Sequence, residues 1–455
     1  MNIVRLLLTF LLSVGCFAQA WVDRTNGNGP GPTWTRPSMG FDPVRGHSVL
    51  VQNLSQGNGQ TWTWDGVSWV NRGPAPGSFG GMAWHAATQQ LVGISSSSSM
   101  GLTTYTLNTW TGTAWTSLGN VAAGSASWPN DFQVGAYDPV RQESVFRLSG
   151  TQQALIYNGS TVSLRTMVSG PTAQSVPEAM AWDPVAQRVV LARNEFMQQL
   201  IGSTWLYLSV VRFYEWSGFG WNVRYPQVTP GLLGGMATDT QRNRIVLFDG
   251  DGPTSQTLGA NQPYHTWTYS NGSLTQLSPP LSPTPRENAA MTFDSNRGVI
   301  VLFGGSSNYG DTWELDLGPM ASFNSYGNGC VGSRGIPTIT PVAGSLPRIG
   351  STFTLQVSNL PLSGPAFLAI GFSDTDYGGT PLPLDLGVIG APGCNLLCAV
   401  DGLYGLTNVL GSATWSINIP NIPGGRFFNQ AIPFDPTASP LGLTTSNGGH
   451  SILGL

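Results

Sequence analysis

A four-residue pattern recurs six times within the first 300 residues of the chain. The copies are MGFD, MAWH, GAYD, MAWD, MATD and MTFD, ending at residues 42, 85, 138, 183, 239 and 294. A short polar break such as PVRG or SNRG follows each copy, and then an apolar run such as SVLV or VIVLF. Asp before Pro or polar residues favours a tight turn, because its side chain accepts hydrogen bonds from nearby amides. Each copy therefore predicts a hairpin of two short strands.

A second motif lies within the same units. The pattern W-x-G-x-x-W occurs at 64–69, 110–115 and 216–221, and weaker forms are YNGSTV (157–162) and YSNGSL (269–274). Gly in the turn permits positive φ, which a two-residue hairpin needs. Each unit is thus predicted to contain two hairpins, or four strands. Six such units in tandem predict an all-β fold, a six-bladed β-propeller.

The sixth unit resembles a kelch repeat. The resemblance rests on LFGG (302–305) and on DTWELD (311–316), which follows it; the other units lack the double glycine. A kelch-like propeller implies that the loops between strands two and three, and those between blades, share one face where ligands bind. The double glycine then has a structural role, and no helix follows it to form a phosphate site.

The last unit has no fourth strand of its own. The segment AWVDRTNGNGPGP (20–32) resembles SWVNRGPAPG (68–77), which is a fourth strand with the loop into the next blade. We therefore expect the N-terminal strand to complete the sixth blade. Closure of the ring removes the exposed edge that an open sheet would present.

The repeats end near residue 323, and a second domain is predicted over 324–455, after a propeller spanning 21–323. Segments such as TFTLQVSNL and ATWSINIPN alternate apolar and polar residues, as in a β-sandwich. The layout of GNGCVGS, GAPGCNL and FFNQAIPFD resembles C-terminal modules of secreted bacterial proteins. We favour a disulfide between Cys330 and Cys394. The alternatives are a pair that uses Cys398, or a tight turn joining Cys394 to Cys398.

Residues 1–20 have the features of a signal peptide: Arg5, an apolar core and an A-x-A cleavage site ending at Ala20. The protein is therefore expected to be secreted or held at the cell surface; a lipoprotein anchor through Cys16 is the alternative. No other stretch could cross a membrane. The net charge is −4, all 19 basic residues are Arg, and no basic patch stands out, so nucleic acid is not an expected partner. We expect a monomer.

Two groups of residues are candidates for ligand binding. Aromatic residues on long loops could stack on sugars or peptides; these are Trp205, Tyr207, Tyr264 and Tyr309. The alternative is that they pack their own loops. Charged residues that precede the first strands should line the mouth of the central channel; these are Arg36, Asp131, Glu178, Arg286 and Glu287. They could form an acid–base site, but we favour a rim of ion pairs.

No catalytic motif, metal site or cofactor site is predicted. The propeller has no Cys, no nucleophile elbow is present, and DGDG (249–252) lacks the further ligands of a calcium loop. The sequence favours a non-enzymatic protein that binds an extracellular glycan or protein through its loops. The alternative is a propeller enzyme, a polysaccharide hydrolase or lyase, that uses the carboxylates at the channel mouth.

Overall fold

The structure is a computed structural model. It describes residues 19–32, 36–54, 59–99, 102–123, 133–148, 150–171, 176–201, 204–225, 233–250, 266–305, 309–420, 422 and 424–454. The side chains of residues 78, 196–201 and 204–210 lie outside this description, as do residues 1–18 of the predicted signal peptide. The chain divides into two compact units, one spanning Gln19–Leu317 and one that includes Gly318–Leu455. Among the described residues, no helix has the length and apolar character needed to span a membrane.

The first unit consists of four-stranded antiparallel sheets. Its strands are β1 (Ala20–Asp23), β2 (Ser38–Asp42), β3 (His47–Asn53), β4 (Gly59–Trp64), β5 (Trp69–Ala75), β6 (Ser78–His85), β7 (Gln90–Ser99), β8 (Leu102–Trp110), β9 (Trp115–Ala123), β10 (Val134–Asp138), β11 (Glu143–Arg147), β12 (Gln153–Tyr157), β13 (Val162–Thr166), β14 (Glu178–Asp183), β15 (Arg188–Ile201), β16 (Thr204–Trp216), β17 (Trp221–Arg224), β18 (Leu233–Asp239), β19 (Arg244–Asp249), β20 (Thr266–Ser270), β21 (Ser273–Leu277), β22 (Ala290–Asp294), β23 (Val299–Phe303) and β24 (Thr312–Asp316). Strands β2 to β21 form five sheets in chain order, and β22, β23 and β24 form the sixth together with β1.

The six sheets form a closed ring. Their first strands are β2, β6, β10, β14, β18 and β22; each contacts the first strand of the next sheet, and β22 contacts β2. A core of buried apolar side chains lies between each pair of neighbouring sheets, including the sixth and the first. The first unit is therefore a β-propeller, and we number its sheets as blades 1 to 6.

The N-terminal strand closes the ring, as predicted. Strand β1 pairs antiparallel with β24, and Trp21 lies opposite Leu315. Trp21 is 1% exposed and its ring packs edge-on against Phe248 of blade 5, with centroids 5.6 Å apart. Its indole Nε1 donates a hydrogen bond to Oγ1 of Thr266 (2.9 Å). The N-terminal strand thus completes blade 6 and also attaches it to blade 5.

The Asp of the repeat closes the turn of the inner hairpin in five of the six blades. In blade 1, Asp42 is buried and accepts hydrogen bonds from the amides of Val44 and Arg45, each at 3.1 Å. The guanidinium of Arg45 also binds Oδ2 of Asp42 (2.7 Å). Gly46 follows with φ near 70°, a left-handed conformation that Gly adopts readily. The turn chemistry predicted from the sequence is therefore present.

The W-x-G-x-x-W motif forms the outer hairpins. Trp64 and Trp69 face each other across β4 and β5 with ring centroids 5.3 Å apart. Gly66 between them has φ near 99°. Nε1 of Trp69 donates to Thr312 of blade 6 (2.8 Å), so this motif also attaches one blade to its neighbour.

Blade 2 carries His85 where the other five blades carry Asp. The imidazole is buried between Tyr137 and Tyr157, with ring centroids 4.8 and 5.0 Å away, and Nδ1 accepts a hydrogen bond from the amide of Thr88 (3.3 Å). Burial lowers the pKa of His85 below its usual value of 6.5. The unfolded chain therefore binds the proton more readily. The contribution of neutral His85 to stability is full above about pH 6.5 and is lost as the pH falls below that value.

The double substitution His85→Asp with Thr88→Arg should reduce the loss of propeller stability in acid, because it recreates the Asp–Arg turn of blades 1, 3, 5 and 6. Thr88 lies over Gly159, as the turn Arg of blades 1 and 3 lies over the equivalent glycine, so there is a place for the new side chain. Thermal unfolding at about pH 7.5 and about pH 5 measures the effect. The half-buried His47, replaced by Asn, is the control. An undiminished acid sensitivity in the double variant would contradict the prediction.

The second unit contains two main sheets. Its elements are β25 (Ser322–Tyr326), β26 (Thr338–Pro341), β27 (Thr352–Ser358), β28 (Ala366–Gly371), β29 (Asp376–Tyr377), β30 (Thr380–Pro381), β31 (Leu384–Asp385), a 3₁₀ helix (Leu386–Ile389), β32 (Asn395–Leu396), β33 (Gly402–Leu406), β34 (Ala413–Asn418), β35 (Arg426–Pro433) and β36 (Gly448–Ile452). The five-stranded sheet has the order β25-β36-β35-β28-β33, and the three-stranded sheet has the order β26-β27-β34. One hydrophobic core, which includes Phe353, Leu368 and Phe427, joins side chains of both sheets. Cys330 and Cys394 form a disulfide, and Cys398 is a free, buried thiol.

Candidate functional site

A chamber of about 490 Å³ lies in the central channel of the propeller. Each of its four levels is lined by one residue from each blade, and Asn243 adds to the lining. The levels are a methionine ring (Met39, Met82, Gly135, Met180, Met236, Met291), a ring of small residues (Gly40, Ala83, Ala136, Ala181, Ala237, Thr292), an aromatic ring (Phe41, Trp84, Tyr137, Trp182, Thr238, Phe293) and a rim (Pro43, Ala86, Pro139, Pro184, Thr240, Ser295).

The rim belongs to the turns of the inner hairpins, and we call this end of the propeller the turn face. Ala86, Pro139 and Thr240 of the rim are exposed, so the chamber opens to solvent at this face. We call the opposite end, where the first strands begin, the loop face. The lining ends at the methionine ring on that side. The chamber is therefore a pocket with its mouth at the turn face.

The repeat motif explains why the chamber is apolar. Its first residue is Met in five blades and its third is aromatic in five, while the fourth, such as Asp42, turns away and is buried in the hairpin turn. The first strands also present one edge to the channel, and its backbone groups are polar. At Trp182 this edge binds a hydroxyl: the amide donates to Oγ1 of Thr238 (2.9 Å), and that hydroxyl donates to the carbonyl of Trp182 (2.8 Å).

A charged cluster lies on the loop-face side of the methionine ring. Glu178, the first residue of β14, is 1% exposed. Its Oε2 lies 3.0 Å from Nε of Arg147, and its Oε1 lies 3.6 Å from Nη1 of Arg193. Burial raises the pKa of the Glu178 carboxyl, and the neighbouring guanidinium groups of Arg147, Arg193 and Arg36 oppose that rise. We call these four residues the arginine cluster.

Arg36 reaches this cluster from the opposite side of the ring. It precedes β2 of blade 1, and its Nη2 donates a hydrogen bond to the backbone carbonyl of Glu178 in blade 4. Its own carbonyl accepts a hydrogen bond from Nδ2 of Asn53 (3.0 Å). Burial lowers the pKa of Arg36 to about 10, and the charge of Glu178 acts in the other direction. A side chain from blade 1 thus spans the loop-face end of the channel.

Arg286 belongs to a different cluster. Its Nη2 donates to Oδ2 of Asp311 (2.8 Å), and its guanidinium lies 3.8 Å from the ring centroid of Tyr309. Nε1 of Trp313 also donates to Oδ2 of Asp311 (2.7 Å). Burial would raise the pKa of Asp311, but the hydrogen bonds from Arg286 and Trp313 outweigh burial and lower it. This group is an ion-paired support for the loop in blade 6.

The structure therefore brings together two of the five residues predicted at the channel mouth, Arg36 and Glu178. Glu287 is half-buried, and Asp131 lies outside the described residues. Of the predicted loop aromatics, Tyr309 packs under Arg286, Tyr264 lies outside the described residues, and Trp205 and Tyr207 are on β16, where only the backbone is described.

Trp205 and Tyr207 were expected on a long loop, and this was wrong. They lie on β16, which pairs with β15 continuously from Val190 to Ile201. The segment TWLYLSVV is rich in aromatic and β-branched residues, and this composition favours a strand over a loop. A pair of long strands therefore takes the place of the long loop that was expected to carry Trp205 and Tyr207.

No protein-family model matches the chain, and no curated protein matches it. Several solved structures are similar in fold at low identity. A protein of unknown function from Bacteroides thetaiotaomicron is 12% identical with a TM-score of 0.45, over 66% of this chain and 76% of its own. A luciferin-regenerating enzyme is 11% identical with a TM-score of 0.41, over 65% and 95%. Regucalcin, a calcium-binding protein from Agrobacterium tumefaciens, is 12% identical with a TM-score of 0.40, over 63% and 93%.

Proposed function

We propose that this protein is an exported, non-enzymatic binding protein that holds a compact apolar or aromatic ligand in the chamber of its propeller. The proposal takes residues 21–323 as a kelch-like six-bladed propeller and residues 324–455 as a β-sandwich. It also takes residues 1–20 as a signal peptide that is cleaved after Ala20. The disulfide between Cys330 and Cys394 supports export, because such bonds persist in oxidising compartments.

The observation that carries the proposal is an open chamber with an aromatic ring below its mouth. Its volume of about 490 Å³ is that of a small-molecule site, for which roughly 300–1,000 Å³ is typical. Phe41 and Phe293 contribute apolar faces, and Trp84, Tyr137 and Trp182 are half-buried, so part of each ring reaches the open space. Flat apolar surfaces of this kind favour a ligand that is itself aromatic or aliphatic.

A glycan receives less support at this site. Side chains that could bind several sugar hydroxyls are few in the lining, and Thr238 is already engaged with Trp182. The sequence analysis predicts instead that a glycan or protein binds at the loop face. The residues predicted to contact it are Trp205, Tyr207, Tyr264 and Tyr309. That placement stays a prediction.

The enzyme alternative also receives less support. A polysaccharide hydrolase needs two carboxylates about 5–10 Å apart beside a space for the sugar. Glu178 is 1% exposed and its carboxylate is ion-paired with Arg147 and Arg193, so it is not presented to a polysaccharide chain in the described structure. The chamber lining itself contains no carboxylate. Binding without turnover is the function that this geometry supports.

Narrowing the rim should weaken ligand binding. Thr240→Trp places a large side chain at the exposed mouth, and we expect the affinity for the neutral fluorescent probe N-phenylnaphthylamine to fall roughly tenfold, or about 1.4 kcal/mol. Thr113→Trp is the matched control, since Thr113 is an exposed turn residue of an outer hairpin, away from the chamber. A fluorescence titration of the full-length protein measures both. Equal affinities in the two variants, or no binding by the unmodified protein, would refute the proposal.

A further inference from the structure

Arg147 is a charged residue at a position that is otherwise apolar. It ends β11 and pairs with Val134 of the first strand of blade 3. The equivalent positions in blades 1, 4, 5 and 6 hold apolar residues, namely Val51, Ala192, Phe248 and Phe303. Arg147 is 0% exposed. Packing alone therefore does not account for an Arg here, because an apolar side chain fills the same position elsewhere in the ring.

The guanidinium of Arg147 is only partly engaged. Its Nε donates a hydrogen bond to Oε1 of Glu178 (3.1 Å) and lies 3.0 Å from Oε2, so one edge of the group faces the carboxylate. Its two terminal nitrogens, Nη1 and Nη2, are buried and have no hydrogen-bond partner within the described part of the chain. Buried charged donors without acceptors are costly, and a bound ion is one of the few arrangements that satisfies them.

The carboxylate of Glu178 orients the guanidinium of Arg147. Two more guanidinium groups lie near Glu178. Arg193 approaches the same carboxylate from β15, and Arg36 donates to the backbone carbonyl of Glu178. Three guanidinium groups thus lie around one buried carboxylate. Arg36 is the half-buried member, so part of its side chain reaches solvent.

We propose that the arginine cluster is a binding site for a small oxyanion, with two of its oxygens accepting hydrogen bonds from Nη1 and Nη2 of Arg147. Two parallel bonds from one guanidinium match the oxygen spacing of a carboxylate, phosphate or sulfate group. This site is separate from the chamber, which lies on the other side of the methionine ring.

Two substitutions of the cluster should change anion binding in opposite directions. Arg147→Met replaces the charged side chain by an unbranched apolar one, at a position where other blades have apolar residues. It should abolish anion binding. Glu178→Gln removes the competing negative charge, and it should tighten binding roughly tenfold. A residue with a structural role alone would not produce this pair of results. Arg165→Met is the matched control, because Arg165 is in the same blade and pairs with Glu143 nearer the surface.

Calorimetric titration of the full chain with inorganic phosphate, sulfate or acetate at constant ionic strength tests the proposal. Thermal unfolding with the same salts supplies a second readout, since an anion that binds the folded state raises the melting temperature of the unmodified protein and of Arg165→Met. Arg147→Lys keeps the charge but loses the fork, and its affinity should fall at least roughly tenfold, which covers the case in which Arg147→Met does not fold.

The salts also distinguish the kind of ligand. A response to phosphate and sulfate alone supports a tetrahedral oxyanion, and a response that includes acetate supports the carboxylate group of a larger molecule. The absence of a saturable response to any of the three, or the same response in Arg147→Lys as in Arg165→Met, would overturn the proposal. Thr240→Trp should leave anion binding unchanged, so failure of the chamber proposal and failure of this one are separate results.

Discussion

Replacement of Trp21 by alanine should lower the free energy of unfolding of the propeller by about 3–5 kcal/mol. The indole is 1% exposed and packs on Phe248 across the junction of blades 5 and 6. The substitution also removes the donor to Thr266, which leaves the buried hydroxyl of that residue without this partner. Urea unfolding of the full chain, followed by tryptophan fluorescence, measures the loss.

Val22→Ala is the matched control for this substitution. Val22 lies next to Trp21 on the same strand and is half-buried, so its truncation should cost less than about 1 kcal/mol. Deletion of residues 21–25 should have a larger effect, because it exposes the edge of β24 to other molecules and favours aggregation. Equal midpoints for Trp21→Ala and Val22→Ala would show that β1 does not hold the ring closed.

The architecture of the propeller was predictable because its signals are local and repeated. Asp42 accepts hydrogen bonds from the amides two and three residues after it, so the last residue of the pattern and the polar break that follows already contain the turn. The same holds for Trp64, Gly66 and Trp69, where the turn and the cross-strand pair lie within six residues. Repetition of these hairpins then indicated the number of units, and a segment like the fourth strand of blade 1 indicated the closing strand.

The sites were less predictable because they depend on which blades meet. Glu178 was a candidate from its position before a strand, but its partners Arg147 and Arg193 are 31 and 15 residues away in the chain, on the second strands of two blades. An alignment of the six repeats would have shown that Arg147 is charged at a position where other repeats have apolar residues. The chamber is lined by residues from all six blades. Its shape and size therefore cannot be predicted from a single repeat.

The two ends of the channel differ in chemistry. The six repeats have similar residue types toward the turn face and different residue types toward the loop face. Four consecutive levels toward the turn face keep apolar or small residues in nearly every blade. Beyond the methionine ring, the equivalent positions hold side chains as different as Pro37 and Glu178. The channel therefore contains a symmetric apolar pocket and an asymmetric charged cluster, and the cluster is built from residues of blades 1, 3 and 4 alone.

Removal of the disulfide should destabilise the second unit by roughly 4 kcal/mol. Cys330 and Cys394 are 64 residues apart, and closing a loop of that length removes much of the conformational freedom of the unfolded chain. The variant Cys330→Ala with Cys394→Ala should thus show faster amide hydrogen exchange in β25 to β36. Cys398→Ala is the matched control, because it removes a buried sulfur beside Phe428 but keeps the link.

A reducing agent separates the effect of the link from that of the lost side chains. Dithiothreitol should accelerate exchange in the unmodified protein and in Cys398→Ala, but it should not change the double variant. In the folded protein the link should also resist exchange, because burial raises the pKa of Cys398 to about 12 and leaves almost no thiolate to attack the bond. Peptide mapping without reduction therefore should recover Cys330 joined to Cys394, whereas a peptide joining Cys394 to Cys398 would show that the long loop is open and that the expected stabilisation is absent.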